Sequence, residues 1–337
     1  MMFSDRYIQK VVNTKSHLCV GLDPILENFP SYILKKAESI YGKTPRGAGY
    51  AIFEFNKMII DIVSDKVPAV KPQLAYYEKY DYYGIEAFWK TVDYAKKKRL
   101  IVIADAKRGD IGSTSQAYAE TFYKNTADEW SSTLSVDAVT INPYLGSDGL
   151  DPFIKLGEEN DKGSIILVKT SNPSSGELQD KILDSENKTI SEVVCDYIIK
   201  STNKVGNYGF SDIGAVIGAT YPEDLTKYRR LLPKTLFLIP GVGYQGGDVK
   251  LLDAAFDNNG LGAIITCSRA IDYAYKDTGL SEQEVKNSIL EAVDYYNGLI
   301  NKALIKSKKV YWEREKNWKK YIRVNFNKKW SCSLTLS

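Results

Sequence analysis

Carboxylate and ammonium side chains alternate at the ends of three short apolar runs of the sequence. Asp23 follows the first run, Lys71 ends the second, and the third leads into Asp105, Lys107 and Asp110. Because buried charges are costly unless opposite charges neutralise them, this alternation predicts one paired network. Such a network can stabilise charge that develops on a bound substrate. The alternative, in which each charge is a separate surface residue, stays open at this point.

The string Asp-Ala-Lys-Arg-Gly-Asp at 105–110 has the most informative spacing. A step of two residues keeps Asp105 and Lys107 on the same side of an extended chain. Gly109 then frees the backbone to turn. Since such a string also arises by chance, its position at the end of a predicted strand is what makes it a candidate for catalysis.

Two later segments are suited to an anionic ligand. Segment 240–248 carries four glycines around Gln245, which permit close approach of the backbone and the motion of a lid. Arg269, in segment 267–270, offers a planar fork of donors that matches a phosphate group. The alternative is a glycine-rich turn beside a surface arginine.

These side chains need a scaffold that brings several strand ends together. Short β-branched runs predict eight strands, at 18–22, 67–71, 100–105, 136–142, 164–169, 213–218, 236–240 and 263–267. Amphipathic segments between them predict helices at 84–98, 113–123, 189–201, 222–231, 247–256 and 281–304. Eight strand–helix repeats favour a closed (β/α)8 TIM barrel, whose active site lies at the C-terminal ends of its strands.

Two connections are longer than a simple crossover needs. Segment 23–66 contains turn residues at 41–47 that separate two helical stretches, which predicts an inserted helix after the first strand and no second domain. Segment 176–188 is polar and is predicted to be a surface loop.

The net charge of +3 conceals an uneven distribution. Residues 306–337 carry ten basic and two acidic side chains, or +8, so the rest carries 3 − 8 = −5. An acidic body with a basic tail is not typical of a nucleic-acid-binding domain. We therefore expect a barrel over 1–305 and a basic, aromatic extension of unknown role over 306–337. A tail that anchors to RNA or to a membrane surface is the alternative.

Composition further limits which side chains can be catalytic. The sequence has no apolar run of membrane-spanning length and no apolar core near its start that would suggest a signal peptide, so we expect a cytoplasmic protein. None of its four cysteines pairs at metal-ligand spacing, and His17 is its only histidine. We interpret His17 as structural. Carboxylates and lysines are therefore the expected catalytic groups.

Six motifs, in order and at suitable separations, resemble those of the orotidine 5'-phosphate decarboxylase family. The resemblance extends from about residue 18 to residue 270, and the long first connection is similar to the insert of single-function protozoan forms. The basic tail departs from the family pattern. The motifs are Leu22-Asp23-Pro24, Lys71-Pro72, the 105–110 string, Thr170-Ser-Asn-Pro173, the segment 240–247 and Ser268-Arg269.

The resemblance implies loss of carbon dioxide from orotidine 5'-monophosphate to give uridine 5'-monophosphate, the last step of UMP synthesis, with neither metal nor organic cofactor. Asp105 then lies beside the departing carboxylate, and Lys107 stabilises and protonates the carbanion that is left. Lys71 and Asp110 complete the network. In the bound substrate, the carboxylate and Asp105 place two negative charges close together. In the transition state, Lys107 neutralises the negative charge that develops on the ring.

The resemblance also implies residues that bind the substrate. Asp23, with Lys71, binds ribose hydroxyls, and Ser171 contacts the edge of the pyrimidine. Gln245 and Arg269 bind the phosphate and close the lid. The same substrate-binding set includes Pro240 and Ser268.

The active unit implied is a homodimer. Asp110, Ile111 and Thr114 then reach into the site of the other subunit, where Thr114 joins Asp23 at the ribose. No nucleic acid and no membrane is an expected partner.

Two other functions stay open at this stage. A magnesium-dependent sugar-phosphate decarboxylase or aldolase-like barrel of the same superfamily resembles this chain in the D-x-K-x-x-D string. Leu22-Asp23-Pro24 and Tyr244-Gln245-Gly246 favour the nucleotide enzyme over it. The second is a nucleotide-binding protein without catalysis, with RNA docked on its tail.

Overall fold

Eight parallel strands close into a barrel around an apolar core. The computed structural model describes residues 1–123, 129–130, 132–219, 222–241 and 249–313. Closure is made by β1, which pairs Leu18 with Ile265 on one side and Cys19 with Ala69 on the other. The predicted (β/α)8 TIM barrel is therefore confirmed. Its strands are β1 (Leu18–Leu22), β2 (Ala69–Pro72), β3 (Ile101–Arg108), β4 (Ala138–Ile141), β5 (Gly163–Lys169), β6 (Ile213–Ile217), β7 (Phe237–Ile239) and β8 (Ala263–Cys267).

The helices cover the outside of the barrel. They are α1 (Phe3–Thr14), α2 (Ser31–Tyr41), α3 (Pro45–Val63), α4 (Ala75–Glu78), α5 (Asp81–Lys97), α6 (Gly112–Tyr123), α7 (Ser147–Glu159), α8 (Ile190–Ser201), α9 (Pro222–Leu231), α10 (Arg269–Asp272) and α11 (Glu282–Lys306). The predicted α-helix at 247–256 is wrong in type, because a 3-10 helix covers Val249–Ala255. Within the described residues, no helix combines the length and the apolar character needed to cross a bilayer.

Local sequence explains where the principal elements begin. The strands β1, β6 and β8 are short runs whose every residue is buried, as expected for parallel strands covered on both faces. Thr189 and Glu192 form a reciprocal capping box that starts α8, and Ser281 and Glu284 form another that starts α11.

The long first connection contains the predicted inserted helix. Pro45 occupies the first turn of α3, and the Thr44 hydroxyl accepts the N–H of Gly47 at 3.2 Å, which caps the helix. Helix α3 buries Ile52 and Phe55 and packs on α5, while α2 is the additional helix and packs on α3.

Helix α1, which was not among the predicted helices, closes the N-terminal end of the barrel. The Tyr7 hydroxyl donates to the carbonyl of Ala263, the first residue of β8, at 3.2 Å. Phe3 is fully buried against Gly163, the first residue of β5. The barrel is therefore blocked at this end, and a ligand has access from the opposite end.

The segment predicted as a surface loop at 176–188 is more structured than expected. It contains an antiparallel pair of two-residue strands, Ile182–Leu183 and Lys188–Thr189. Lys169, buried at the end of β5, donates to both oxygens of Asp180 at 2.6 Å. This bidentate contact ties the exposed segment to the barrel.

The first residues of the predicted extension pack against the barrel. Lys309 donates to the carbonyls of Asp253 at 2.8 Å and Phe256 at 3.1 Å, and Val310 and Trp312 are buried. Residues 314–337, which hold most of the predicted basic tail, lie outside the described residues.

Candidate active site

Asp105, in β3, is the centre of a buried hydrogen-bonded network. Its Oδ2 accepts from Nζ of Lys71 at 2.8 Å and from Nε2 of Gln73 at 3.1 Å. Its Oδ1 accepts from Nζ of Lys107 at 2.6 Å and from the hydroxyl of Thr140 at 2.9 Å. Three donors lie on β2, β3 and β4, and the fourth is on the residue that follows β2. Together they hold both carboxylate oxygens in place.

The charges in this network hold one another ionised. Burial favours the neutral form of Asp105, but the ammonium groups of Lys71 and Lys107 outweigh it and hold the pKa of the carboxyl well below its usual range. Burial would likewise lower the pKa of Lys71, but the charges of Asp105 and Asp23 raise it above its usual range. At neutral pH the site thus contains a buried carboxylate and a buried ammonium.

Lys107 reaches Asp105 from an irregular stretch of β3. The pairing of β3 with β4 shifts register between Ala104 and Arg108, and Lys107 has a φ of 46°, in the left-handed region. The expected extended chain is therefore wrong at Lys107, although its side chain still meets Asp105. Its N–H donates to the Thr140 hydroxyl at 3.0 Å, which holds this bend in place.

A cavity of about 390 Å³ opens over the network at the C-terminal ends of the strands. Most of the residues predicted to form the site line it. The predicted residues among its lining are Asp23, Lys71, Asp105, Lys107, Ser171, Pro240, Ser268 and Arg269. Gln245, predicted to bind phosphate, lies outside the described residues.

Three predicted residues lie outside this cavity. Asp110 accepts the N–H of Ile111 at Oδ1 at 2.8 Å, just before α6 begins. Ile111 and Thr114 are exposed on the surface of the subunit, and neither they nor Asp110 line the cavity.

The sequence pattern missed several polar residues of the cavity and the network. Thr140 is fully buried inside the apolar strand β4, and Gln73 directly follows β2. A polar side chain within an apolar strand is the signal that would have revealed Thr140, because burial demands a hydrogen-bond partner. The other missed polar residues that line the cavity are Thr170, Asn172 and Thr266.

The cavity is chemically asymmetric. Leu167, Val216 and Leu238 give it an apolar wall, while Lys107 and Arg269 supply positive charge. Such a cavity suits a ligand with a planar apolar ring and anionic substituents. In the described part of the chain, no three His, Cys, Asp or Glu side chains are grouped closely enough to hold a metal ion.

Comparison with known proteins assigns this arrangement to a family. The model of the orotidine 5'-phosphate decarboxylase / HUMPS family matches residues 16–279. The chain is 40% identical over 303 residues to the orotidine 5'-phosphate decarboxylase of Caldicellulosiruptor saccharolyticus, covering 86% of this chain and 99% of the relative. It is 39% identical over 277 residues to that of Rhodopirellula baltica, covering 82% and 90%.

Solved structures share the fold. The Leishmania donovani OMP decarboxylase structure matches with a TM-score of 0.66 at 28% identity, covering 89% of this chain and 99% of that one. A Streptomyces avermitilis structure matches with a TM-score of 0.72 at 29% identity, covering 90% and 96%. The chain therefore belongs to the orotidine 5'-phosphate decarboxylase / HUMPS family, and it is an enzyme of the carboxy-lyase class.

Proposed function

We propose that the protein converts orotidine 5'-monophosphate to uridine 5'-monophosphate through the network around Asp105. The bond between the pyrimidine carbon and its carboxylate breaks, carbon dioxide leaves, and the electron pair stays on the ring carbon. The Lys107 ammonium donates its proton to that carbon and is later reprotonated by water. The reaction written in this way requires no cofactor.

One observation carries the proposal: Asp105 is an ionised, buried carboxylate held between the ammonium groups of Lys71 and Lys107, and both lysines line the cavity. A substrate carboxylate beside Asp105 is repelled, and that repulsion disappears when carbon dioxide leaves. The negative charge that replaces it on the ring carbon is paired with Lys107. The network therefore favours the transition state over the bound substrate.

The remaining cavity residues can bind the rest of the substrate. The positive charge of Arg269 suits the phosphate, and the carboxylate of Asp23 suits ribose hydroxyls. The apolar wall at Leu167, Val216 and Leu238 suits one face of the pyrimidine, whose edge Ser171 contacts. Binding energy from the remote phosphate then contributes to catalysis at the ring carbon.

The active unit we propose is a homodimer in which Asp110, Ile111 and Thr114 complete the site of the partner subunit. Their surface position outside this subunit's own cavity is what supports the proposal. An exposed Ile111 at the start of α6 also offers an apolar contact to a second copy.

The cysteines support the proposed cytoplasmic location. Cys19, Cys195 and Cys267 are all free and buried, and burial raises their pKa values to about 12. They are thus unreactive thiols of the kind found in proteins from a reducing compartment.

The decisive experiment follows the absorbance of orotidine 5'-monophosphate with purified, dialysed protein, with and without a chelator. We expect chelator-resistant turnover by the wild type, loss of nearly all turnover in Lys107→Ala, and normal turnover in Lys97→Ala, which removes an exposed lysine of α5. Folding of each variant is checked by circular dichroism. Near-normal turnover by folded Lys107→Ala contradicts the assigned role, and turnover only of sugar phosphates with magnesium contradicts the proposed reaction.

A further inference from the structure

The short helix α10 begins at the cavity and ends in the buried interior behind it. Its first residue, Arg269, lines the cavity with Ser268, whereas its last residue, Asp272, is completely buried behind it. The next residue, Tyr273, stacks on Phe55 of α3 with ring centroids 5.7 Å apart. This packing anchors the end of α10 on α3.

Asp272 and Tyr273 hold the backbone on both sides of the Asp23 side chain. Oδ2 of Asp272 accepts the N–H of Asp23 at 3.4 Å. The Tyr273 hydroxyl donates to the carbonyl of Asp23 at 2.8 Å and accepts the N–H of Ile25 at 2.6 Å. Three hydrogen bonds from two adjacent residues thus determine where the Asp23 carboxylate lies.

The charges of the network around Asp105 are balanced without a charge on Asp272. Asp23 and Asp105 supply two negative charges, and Lys71 and Lys107 supply two positive ones. An ionised Asp272 would add an unbalanced buried charge beside Asp23. Burial, and then the charge of Asp23, raise the pKa of Asp272 well above its usual range, which favours the neutral form of this group.

Two carboxyl oxygens at this point have no hydrogen-bond partner in the described part of the chain. Oδ1 of Asp23 and Oδ1 of Asp272 are both buried without a hydrogen-bond partner among the residues described. Since a buried carboxylate oxygen without a donor is costly, the free Oδ1 of Asp23 is suited to receive a hydroxyl donor from a ligand.

We propose that Asp272 and Tyr273 are positioning residues that set the Asp23 carboxylate for the ribose hydroxyls of the substrate. Asp272 does so as a neutral acid, so that Asp23 alone carries the negative charge at this point. Because Arg269 starts the same helix, the pair links the phosphate end of the cavity to the ribose end. This inference rests on the proposed role of Asp23 in binding the ribose.

The other groups near Asp272 allow its ionisation to be observed separately. Burial raises the pKa values of the cysteine and of the three tyrosines around it, so these four stay neutral over most of the accessible pH range. The titratable and charged groups that face Asp272 are Asp23, Lys71, Tyr77, Cys267, Tyr273 and Tyr275.

A double-mutant cycle tests the link to Asp23. We expect Tyr273→Phe to lower kcat/KM for orotidine 5'-monophosphate about tenfold, since it removes two hydrogen bonds at the Asp23 loop. In an Asp23→Asn background, Tyr273→Phe should lower kcat/KM by less than about twofold. The matched control is Tyr275→Phe, which removes a hydrogen bond of 2.5 Å to the carbonyl of Asn28. Its effect should be the same in both backgrounds.

The pH profile tests the neutral form of Asp272. Asn at this position keeps an acceptor for the Asp23 N–H but cannot ionise. If Asp272 acts as a neutral acid, the ratio of kcat/KM for Asp272→Asn to that of the wild type should stay constant as the pH rises from about 4 to 7, the range in which an ordinary carboxyl group ionises. A ratio that changes over this range, or an equal loss in Tyr273→Phe with and without Asp23, overturns the proposal.

Hydrogen exchange separates failure of this inference from failure of the proposed function. The amides of Asp23 and Ile25 should exchange faster in Tyr273→Phe than in the wild type. If they do while the wild type fails to consume orotidine 5'-monophosphate, the proposed function is wrong and the positioning of the loop stands. If exchange at these two amides is unchanged, the positioning itself is refuted.

Discussion

The ammonium of Lys107 binds Oδ1 of Asp105 at 2.6 Å from a backbone that is bent into the left-handed region, with φ at 46°. A non-glycine residue adopts this conformation at a cost, and neighbouring contacts must maintain it. The hydroxyl of Thr140 supplies such a contact, because it accepts the Lys107 N–H and donates to the same Oδ1 of Asp105. Thr140 thus fixes both members of the proposed catalytic pair.

Removing this hydroxyl should reduce the rate without abolishing the fold. Thr140→Val leaves the Lys107 N–H and one carboxylate oxygen short of a partner, at a cost of about 1–3 kcal/mol. We expect a fall in kcat of about 10- to 100-fold, measured by steady-state kinetics, because Lys107 is no longer aimed. Thr121→Val on α6, whose hydroxyl donates to the carbonyl of Ala117, is the control and should leave kcat unchanged. Equal kcat in both variants would show that Thr140 is not needed.

Sequence reasoning identified the barrel and the charged strand ends for a physical reason. Fully buried parallel strands are short apolar runs, and the residues that follow them meet at one end of the barrel. The two-residue spacing predicted that Asp105 and Lys107 pair, and their side chains do meet, although the extended backbone on which that prediction depended is bent at Lys107. These features depend on local pattern, and local pattern is visible in the sequence.

Two relationships that sequence reasoning missed depend on tertiary contact. The bend at Lys107 is maintained by Thr140 from the neighbouring strand, and Asp272 is separated from Asp23 by almost the whole barrel sequence. Neither relationship leaves a periodic signal. Helix α1 was not predicted, although its buried residues Phe3, Tyr7, Ile8 and Val11 recur at helical spacing and do leave a local signal.

The buried pair of Lys71 and Asp105 should contribute far more to stability than an exposed pair. Lys71→Met leaves a buried carboxylate with one cationic partner fewer, which should cost about 3–5 kcal/mol in the free energy of unfolding. Asp105→Asn in that background should cost much less than it does alone, because the charge that needed Lys71 is gone. Urea denaturation of the four proteins at pH 7 measures this coupling.

The exposed pair of Lys97 and Asp93 on α5 is the matched control for that cycle. Its coupling should be about 0.5 kcal/mol or less, as for other pairs of helix residues four apart in water. If the coupling at Lys71 and Asp105 is equally small, the network is not acting as one unit.

If two subunits share each active site, two inactive variants should restore activity when they are mixed. Lys107→Ala and Asp110→Ala homodimers each lack one essential group at both sites. In a mixed dimer, one site receives Lys107 from one subunit and Asp110 from the other and is intact, while its second site lacks both. Random mixing should then restore about a quarter of wild-type activity per subunit, since half of the dimers have one working site.

Co-refolding of an equimolar mixture, followed by the absorbance assay, measures this recovery. Each variant refolded alone is the control and should stay inactive. Mixtures no more active than the separate variants would place Asp110 in the site of its own subunit, or outside any site.

His17 should make stability depend on pH in the acidic range. It is buried at the N-terminal end of the barrel, with ring centroids 4.7 Å from Phe256 and 5.7 Å from Trp312. Burial lowers the pKa of the imidazole to about 3, whereas in the unfolded chain it is about 6.5. Between these values the native state keeps His17 neutral and the unfolded state binds a proton, so stability is lost as the pH falls.

We expect His17 to lower the free energy of unfolding by up to about 1.4 kcal/mol for each pH unit below about pH 6. His17→Gln, which cannot be protonated in this range, should show a flatter decline in the free energy of unfolding between pH 6.5 and pH 4. Because His17 is the only histidine in the chain, its imidazole NMR signals report its titration without ambiguity. A native imidazole that titrates near pH 6.5, or identical pH profiles of the two proteins, would show that the contacts with Phe256 and Trp312 do not exclude the proton.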